Sequence, residues 1–172
     1  MIYRLYIPDD FDRLYALEEA CFDSSSRFSR RYMRLLVQRV CAATWIAEEA
    51  GQLAGFAIVE WVEGKCGVPS DGSSSLGCKC GATAYIQTIE VSPDVRGRGV
   101  GRELLSRIEG SARVARARLI WLHVEEGNAA AIRLYEARSY RCEDRQEDYY
   151  PLGRAALIYV CLLYTSPSPR DS

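Results

Sequence analysis

At 172 residues, with 48% hydrophobic and 26% charged residues, the chain has the length and the mix of one globular domain with a substantial core. A net charge of −1 gives the whole molecule no electrostatic reason to bind nucleic acid or a membrane surface. No apolar run approaches the ~18 residues of a membrane span and Met1-Ile2-Tyr3-Arg4 opens no signal-peptide pattern, so a soluble cytoplasmic protein is expected. Seven cysteines, an odd count without a secretory signal, read as free thiols.

Residues 2–7 read as a first strand. Pro8-Asp9-Asp10 then caps a helix with Phe11, Leu14, Tyr15, Leu17 and Cys21 on its apolar face. Ser29 caps a second helix reaching about Val40, with Tyr32, Met33, Leu35, Leu36 and Val40 inward. Residues 44–49 and 53–63 form two strands joined at Ala50-Gly51, and Ala57-Ile58-Val59, apolar on both faces, places the second inside a sheet. Residues 64–82 are rich in Gly, Ser and Cys and read as an inserted loop. Cys66, Cys78 and Cys80 raise the question of zinc, but their spacing lacks a paired C-x2-C and a fourth ligand, so no metal is expected.

Residues 85–91 are a β-branched strand that breaks at Ser92-Pro93-Asp94. The chain then passes through Arg96-Gly97-Arg98-Gly99-Val100-Gly101 into a helix reaching about Ala117, with Leu104, Leu105, Ile108, Ala112 and Ala115 inward. Leu119–Val124 is a further strand, Asn128 starts a short helix to Arg138, and residues 140–150 and 155–163 close the chain as an antiparallel pair. One domain over residues 1–163 is expected. Residues 164–172, small, polar and proline-interrupted, are read as a disordered, non-native tail.

A strand, a glycine-rich turn and a helix start align backbone N–H groups that have no intrahelical partner, a site suited to phosphate. Glycines let an anion approach the backbone, and Arg96, Arg98 and Arg102 lie close enough to add charge-assisted donors. The dinucleotide fingerprint fails on glycine spacing and on the acid expected about 20 residues on, and the nucleoside-triphosphate loop fails for want of Gly-Lys-Ser/Thr. What remains, Arg-x-x-Gly-x-Gly, resembles the pyrophosphate loop of the GCN5-related N-acetyltransferase (GNAT) superfamily. A second segment, with Asn128, Ala131 and Tyr135 on an Asn-x-x-Ala-x-x-x-Tyr frame, resembles the helix after the fifth strand of that superfamily.

The resemblance implies an α/β (α+β) GNAT fold, with a mixed sheet of about seven strands and four helices, splayed between the fourth and fifth strands. It also implies acetyl-CoA as cosubstrate, held by Ile89, Glu90, Val91, the turn Arg96, Gly97, Arg98, Gly99, Val100, Gly101 and Arg102, and by Asn128 and Tyr135. Ala84-Tyr85-Ile86, Leu122-His123-Val124 and Tyr149-Tyr150 look most like protein N-terminal and ribosomal-protein alanine acetyltransferases. Ribosomal-type relatives carry Glu where His123 stands, and one eukaryotic N-terminal class pairs His there with Tyr at position 85. On this reading His123 is the general base and Tyr85 assists it through water, while Tyr135 is the acid for the departing thiolate; Phe22, Tyr85, Tyr149 and Tyr150 bind the acceptor. A backbone N–H within Ile89–Val91 polarises the thioester carbonyl. Glu125, Glu126, Glu143, Asp144, Glu147 and Asp148 form an acidic rim that attracts a cationic amine. The expected partner is a protein or peptide N-terminus, of a ribosomal protein among the candidates, and the enzyme itself is expected to be a monomer or weak dimer. A small-amine acetyltransferase (polyamine or antibiotic) and a non-catalytic acyl-CoA sensor stay open beside it. Two departures stand out: Ser139 where the short helix ends and the family has Gly, and Phe22-Asp23 where N-terminal enzymes have Phe-Pro.

Overall fold

The computed structural model describes residues 1–62 and 82–163. The expected loop, Ala82 apart, and the expected tail lie outside the described residues, and with them Cys66, Cys78 and Cys80. Seven strands, β1 (Ile2–Leu5), β2 (Ala42–Glu49), β3 (Gln52–Val62), β4 (Thr83–Val91), β5 (Leu119–Glu125), β6 (Arg141–Tyr150) and β7 (Arg154–Leu162), form one sheet in the order β1-β2-β3-β4-β5-β7-β6. Every neighbouring pair is antiparallel except β4 and β5. Helices α1 (Phe11–Cys21) and α2 (Arg30–Gln38) cover one face. Helix α3 (Val100–Val114) packs on the other, joined there by residues of α4 (Ala129–Ala137).

The core divides along the sheet. Phe11, Leu14, Met33 and Leu36 meet Ile46, Phe56 and Ile58 on the first face. Leu104, Leu105 and Ile108 meet Ala57, Val59, Ala84 and Ile120 on the second. Strand β3 is buried without interruption from Ala54 to Val59, as expected of an internal strand covered on both faces. The Ala50-Gly51 hairpin has positive φ at both residues (51° and 76°), the turn whose twist matches its strands.

Helix α2 departs from its sequence reading. It stops at Gln38, its inward residues are Met33 and Leu36, and Leu35 and Val40 are exposed. Leu35 falls on the outer side of the stripe, and Val40 lies in the link to β2. Ser29 does cap the helix, accepting from Tyr32 N–H at 3.1 Å. The side chain of Asp10 accepts none of the first N–H groups of α1. Instead it is buried and receives Arg4 (2.7 and 2.8 Å), Arg13 (2.6 Å) and the Ile7 N–H (2.9 Å), pinning β1 to the start of α1. Ser139 ends α4 by adopting φ 68°, the left-handed conformation that a glycine takes without a side-chain penalty.

Candidate active site

Strands β4 and β5 pair only from Thr83–Tyr85 to Leu119–Trp121 and then part. Beyond Tyr85, the edge of β4 that faces β5 has no strand partner, so alternate backbone groups from Ile86 to Val91 look into a gap. A β-bulge sharpens the divergence. Ile58 faces Thr88 and Val59 faces Ile86, leaving Gln87 as the extra residue of β4. The gap opens into a cavity of about 510 Å³.

Around this cavity the fold gathers Tyr85, His123, Tyr135, Tyr149 and Tyr150. Phe22, Ile89 and Asn128 also line it. His123 of β5 is held there from two sides. The Tyr85 hydroxyl stands 2.8 Å from Nδ1, and the Gln146 Oε1 stands 3.0 Å from Nε2. An amide oxygen only accepts, so Nε2 carries the hydrogen and Nδ1 accepts the hydroxyl proton of Tyr85; this network assigns the tautomer. Tyr149 stacks on the imidazole at 4.3 Å and 9° between planes, and Tyr150 meets Tyr149 edge-on at 4.9 Å. The β6–β7 register makes this contact. Gln146 pairs with Ala156 and Tyr150 with Arg154, so β6 holds extra residues between them, with Asp148 at φ 53°.

Burial sets the protonation states. It pushes the His123 pKa down, opposed in part by the hydrogen bond to Gln146, so the ring is neutral near pH 7. Burial pushes the Tyr85 hydroxyl well above its ordinary range, helped by Tyr149. Tyr135, held among Tyr140 (5.6 Å) and Tyr159 (6.4 Å), is raised chiefly by burial as well. Both phenols therefore keep their protons at neutral pH.

The glycine-rich turn precedes α3, with Gly97 at φ 76° and Gly99 at φ 82°. Nothing lies within 4 Å of where a Cβ would stand on either, so the backbone is open to an approaching ligand. The first N–H groups of α3 have no intrahelical partner, which fits the turn to a diphosphate. The arginines divide. Arg102 is exposed, Arg96 bends back so that Nε donates to the Val91 carbonyl (3.2 Å), and Arg98 forks onto Glu49 of β2 (2.9 and 2.8 Å). Arg98 thus has a carboxylate partner where a free phosphate donor was expected. The acidic rim is likewise partly neutralised: Arg145 binds Glu126 and Glu147, and Arg154 binds Glu125. Asn128 spends its side-chain oxygen on capping α4, accepting from Ala131 N–H at 3.2 Å. Among the described residues, no three His, Cys, Asp or Glu side chains gather as a metal site.

The chain matches the acetyltransferase (GNAT) family over residues 11–140. It belongs to that family. It is 28% identical over 181 aligned residues to histone acetyltransferase MCC1 of Arabidopsis thaliana, across 97% of this chain and 72% of the relative. It is 35% identical over 81 residues to the ribosomal protein bS18-alanine N-acetyltransferase of Escherichia coli K12, across 46% of this chain and 55% of that relative, about half its length. The crystal structure of Arabidopsis thaliana NAA60 in complex with acetyl-CoA superposes with a TM-score of 0.76 at 26% identity, covering 94% of this chain and 97% of that one. The protein is accordingly an acetyl-CoA-dependent N-acetyltransferase of the GNAT type.

Gln146, Glu18 and Thr88 also line or support the cavity and were not singled out in the sequence. The signal for Glu18 was present: it falls four residues after Leu14, on the buried stripe of α1. Gln146 carried none, because the irregular β6 register breaks the alternation that would have oriented it.

Proposed function

We propose that this enzyme acetylates the α-amine of a protein or peptide N-terminus in the cavity between β4 and β5, as a cytoplasmic enzyme, with ribosomal proteins among its acceptors. The observation that carries the reading is the Tyr85–His123 hydrogen bond, set against the stacked Tyr149 in a cavity open to solvent. Acetyl-CoA supplies the acetyl group as a thioester. The turn from Arg96 to Arg102 holds its diphosphate with backbone N–H groups, Arg102 adds charge, and Ile89–Val91 and Asn128 line the way from the turn to the cavity.

The acceptor amine gives up a proton before it attacks. Tyr85 takes that proton at its oxygen, directly or through water, while passing its own to Nδ1 of His123. The neutral ring is ready to receive it. Gln146 fixes the ring by accepting from Nε2–H, and Tyr149 holds its plane. Tyr135, protonated because it is buried, gives a proton to the leaving sulfur. Phe22, Tyr149 and Tyr150 flank the peptide's first residues.

The test is thiol release with acetyl-CoA against three acceptor sets: peptides with free N-termini, the same peptides with blocked N-termini but a free lysine, and small amines. The reading expects turnover of the first set alone. Turnover confined to lysine side chains or to small amines would overturn it. So would binding of acetyl-CoA with no turnover in any set.

A further inference from the structure

The bulge in β4 leaves Gln87 with no residue opposite it on β3. Glu60 of β3 faces Tyr85 across the pair, so these two side chains share one side of the sheet. Gln87 reaches back to that place, its Nε2 donating to Glu60 Oε2 at 2.7 Å. Arg39, just beyond α2, donates from Nη1 to both Glu60 oxygens at 2.7 Å, and its guanidinium lies 5.9 Å from the ring centre of Tyr32. A carboxylate that takes donors on both oxygens holds the nitrogen of the Gln87 amide, so Oε1 is what the amide has left to offer. That oxygen has no hydrogen-bond partner among the described residues, and half-buried Gln87 lines the cavity with Phe22, Phe28 and Tyr32. Other polar groups of this wall are engaged. Glu18 Oε1 accepts the Phe28 N–H (2.7 Å), the Thr88 hydroxyl donates to Glu90 (2.9 Å), and Ser26 Oγ accepts from Arg154 (3.3 Å). Glu18 Oε2 has no partner but is buried.

We infer that Gln87 selects the first residue of the acceptor, its Oε1 taking a hydrogen bond from a side chain that carries a hydroxyl donor, with Glu60 and Arg39 positioning the amide. This rests on the peptide reading above, which brings the α-amine to Tyr85. Because Glu60 stands opposite Tyr85, the amide that Glu60 holds lies near the Tyr85 side chain and within reach of the first side chain of the peptide. A lone acceptor on an aromatic wall discriminates through what it loses. Thr brings a donor to the oxygen, whereas isosteric Val displaces its water and offers nothing in return. The difference is roughly 5- to 30-fold in kcat/KM.

The experiment compares two peptides identical except for Thr or Val as first residue, with the full chain and acetyl-CoA. The readout is the ratio of their kcat/KM values, which cancels changes in basal activity. Wild type should prefer the Thr peptide by roughly 5- to 30-fold. Gln87→Met removes both polar atoms at nearly constant length, so the ratio should fall to about one or below while the KM for acetyl-CoA stays put. Glu60→Ala leaves the amide free to turn its nitrogen toward the cavity, and its ratio should lie between those two. A Gln87→Met enzyme that keeps the wild-type ratio overturns the inference. An unchanged ratio in Glu60→Ala overturns the positioning role of Glu60. Equal turnover of both peptides by wild type, or a preference for Val, sinks the inference without any variant and spares the peptide reading. Turnover of neither, with small amines turned over, sinks the reading itself.

Discussion

Gln146 touches the imidazole from outside the cavity, and replacing it tests whether His123 is the base. Its Oε1 lies 3.0 Å from Nε2, so Gln146→Glu places a carboxylate at about the same point. Coulomb's law at about 3 Å gives roughly 1.4 kcal/mol in water and about 5 kcal/mol at an effective dielectric of 20. Gln146 is exposed and His123 half-buried, so the water limit governs, and 1.4 kcal/mol is about one pH unit. The sign follows from the charge: a carboxylate favours imidazolium, the ring holds its proton to higher pH, and the acid limb of kcat moves up by about one unit. At pH 6 the variant is then slower by up to about tenfold, while its high-pH plateau is retained. Gln146→Leu acts in the opposite sense. It removes the contact that raises the His123 pKa, so the limb moves down. The assay is thiol release at saturating peptide from about pH 5 to 9. The peptide's own amine titrates alike in all three enzymes, so differences among them isolate the ring. A limb that stays put, or moves the same way in both variants, refutes His123 as the base.

Other residues give further outcomes. His123→Ala and Tyr85→Phe each lower kcat by about 10²- to 10⁴-fold with the fold retained, read by turnover beside circular dichroism, and Tyr135→Phe lowers kcat with little change in the KM for acetyl-CoA. Gly99→Ala forces a side chain into φ 82°, costs about 1 kcal/mol or about 2–4 °C in Tm, and raises the KM for acetyl-CoA. Asp10→Ala removes the buried carboxylate shared by Arg4, Arg13 and the Ile7 N–H, leaves Arg4 its contact with Glu48, and destabilises by about 1–3 kcal/mol in urea titrations. In the wild type, Arg4 chiefly holds the Asp10 pKa far below the usual carboxylate range. The stability from Asp10 is therefore complete above its unfolded pKa near 3.9 and is lost as pH falls further.

The repeating elements were largely legible because their patterns are local. The apolar stripes of α1 and α3, the all-apolar run in β3 and the Ala50-Gly51 turn each state their geometry within a few residues. Motif spacing likewise identified the turn at Gly97–Gly101. What could not be read was long-range. Arg98 answers Glu49, 49 positions away, and nothing near either residue announces the pair. Asp10 looked like a cap because acids precede helices, yet Arg4 and Arg13 converge on it only once β1 lies beside α1. Gln87 and the irregular stretch before Tyr150 break the two-residue period, so side-chain directions near the cavity escaped an alternation argument at the positions that shape it.

The central claim is that an α-amine and the acetyl thioester meet in the gap between β4 and β5. Two conjugates test it most directly, one peptide joined to coenzyme A through its N-terminal nitrogen and the same peptide joined through a lysine side chain. A covalent mimic of the meeting point binds far more tightly than either part when its geometry is right. The α-linked conjugate should inhibit at least about 100-fold more strongly than the ε-linked one, and His123→Ala should bind both. Equal inhibition by the two, or preference for the lysine linkage, contradicts the account.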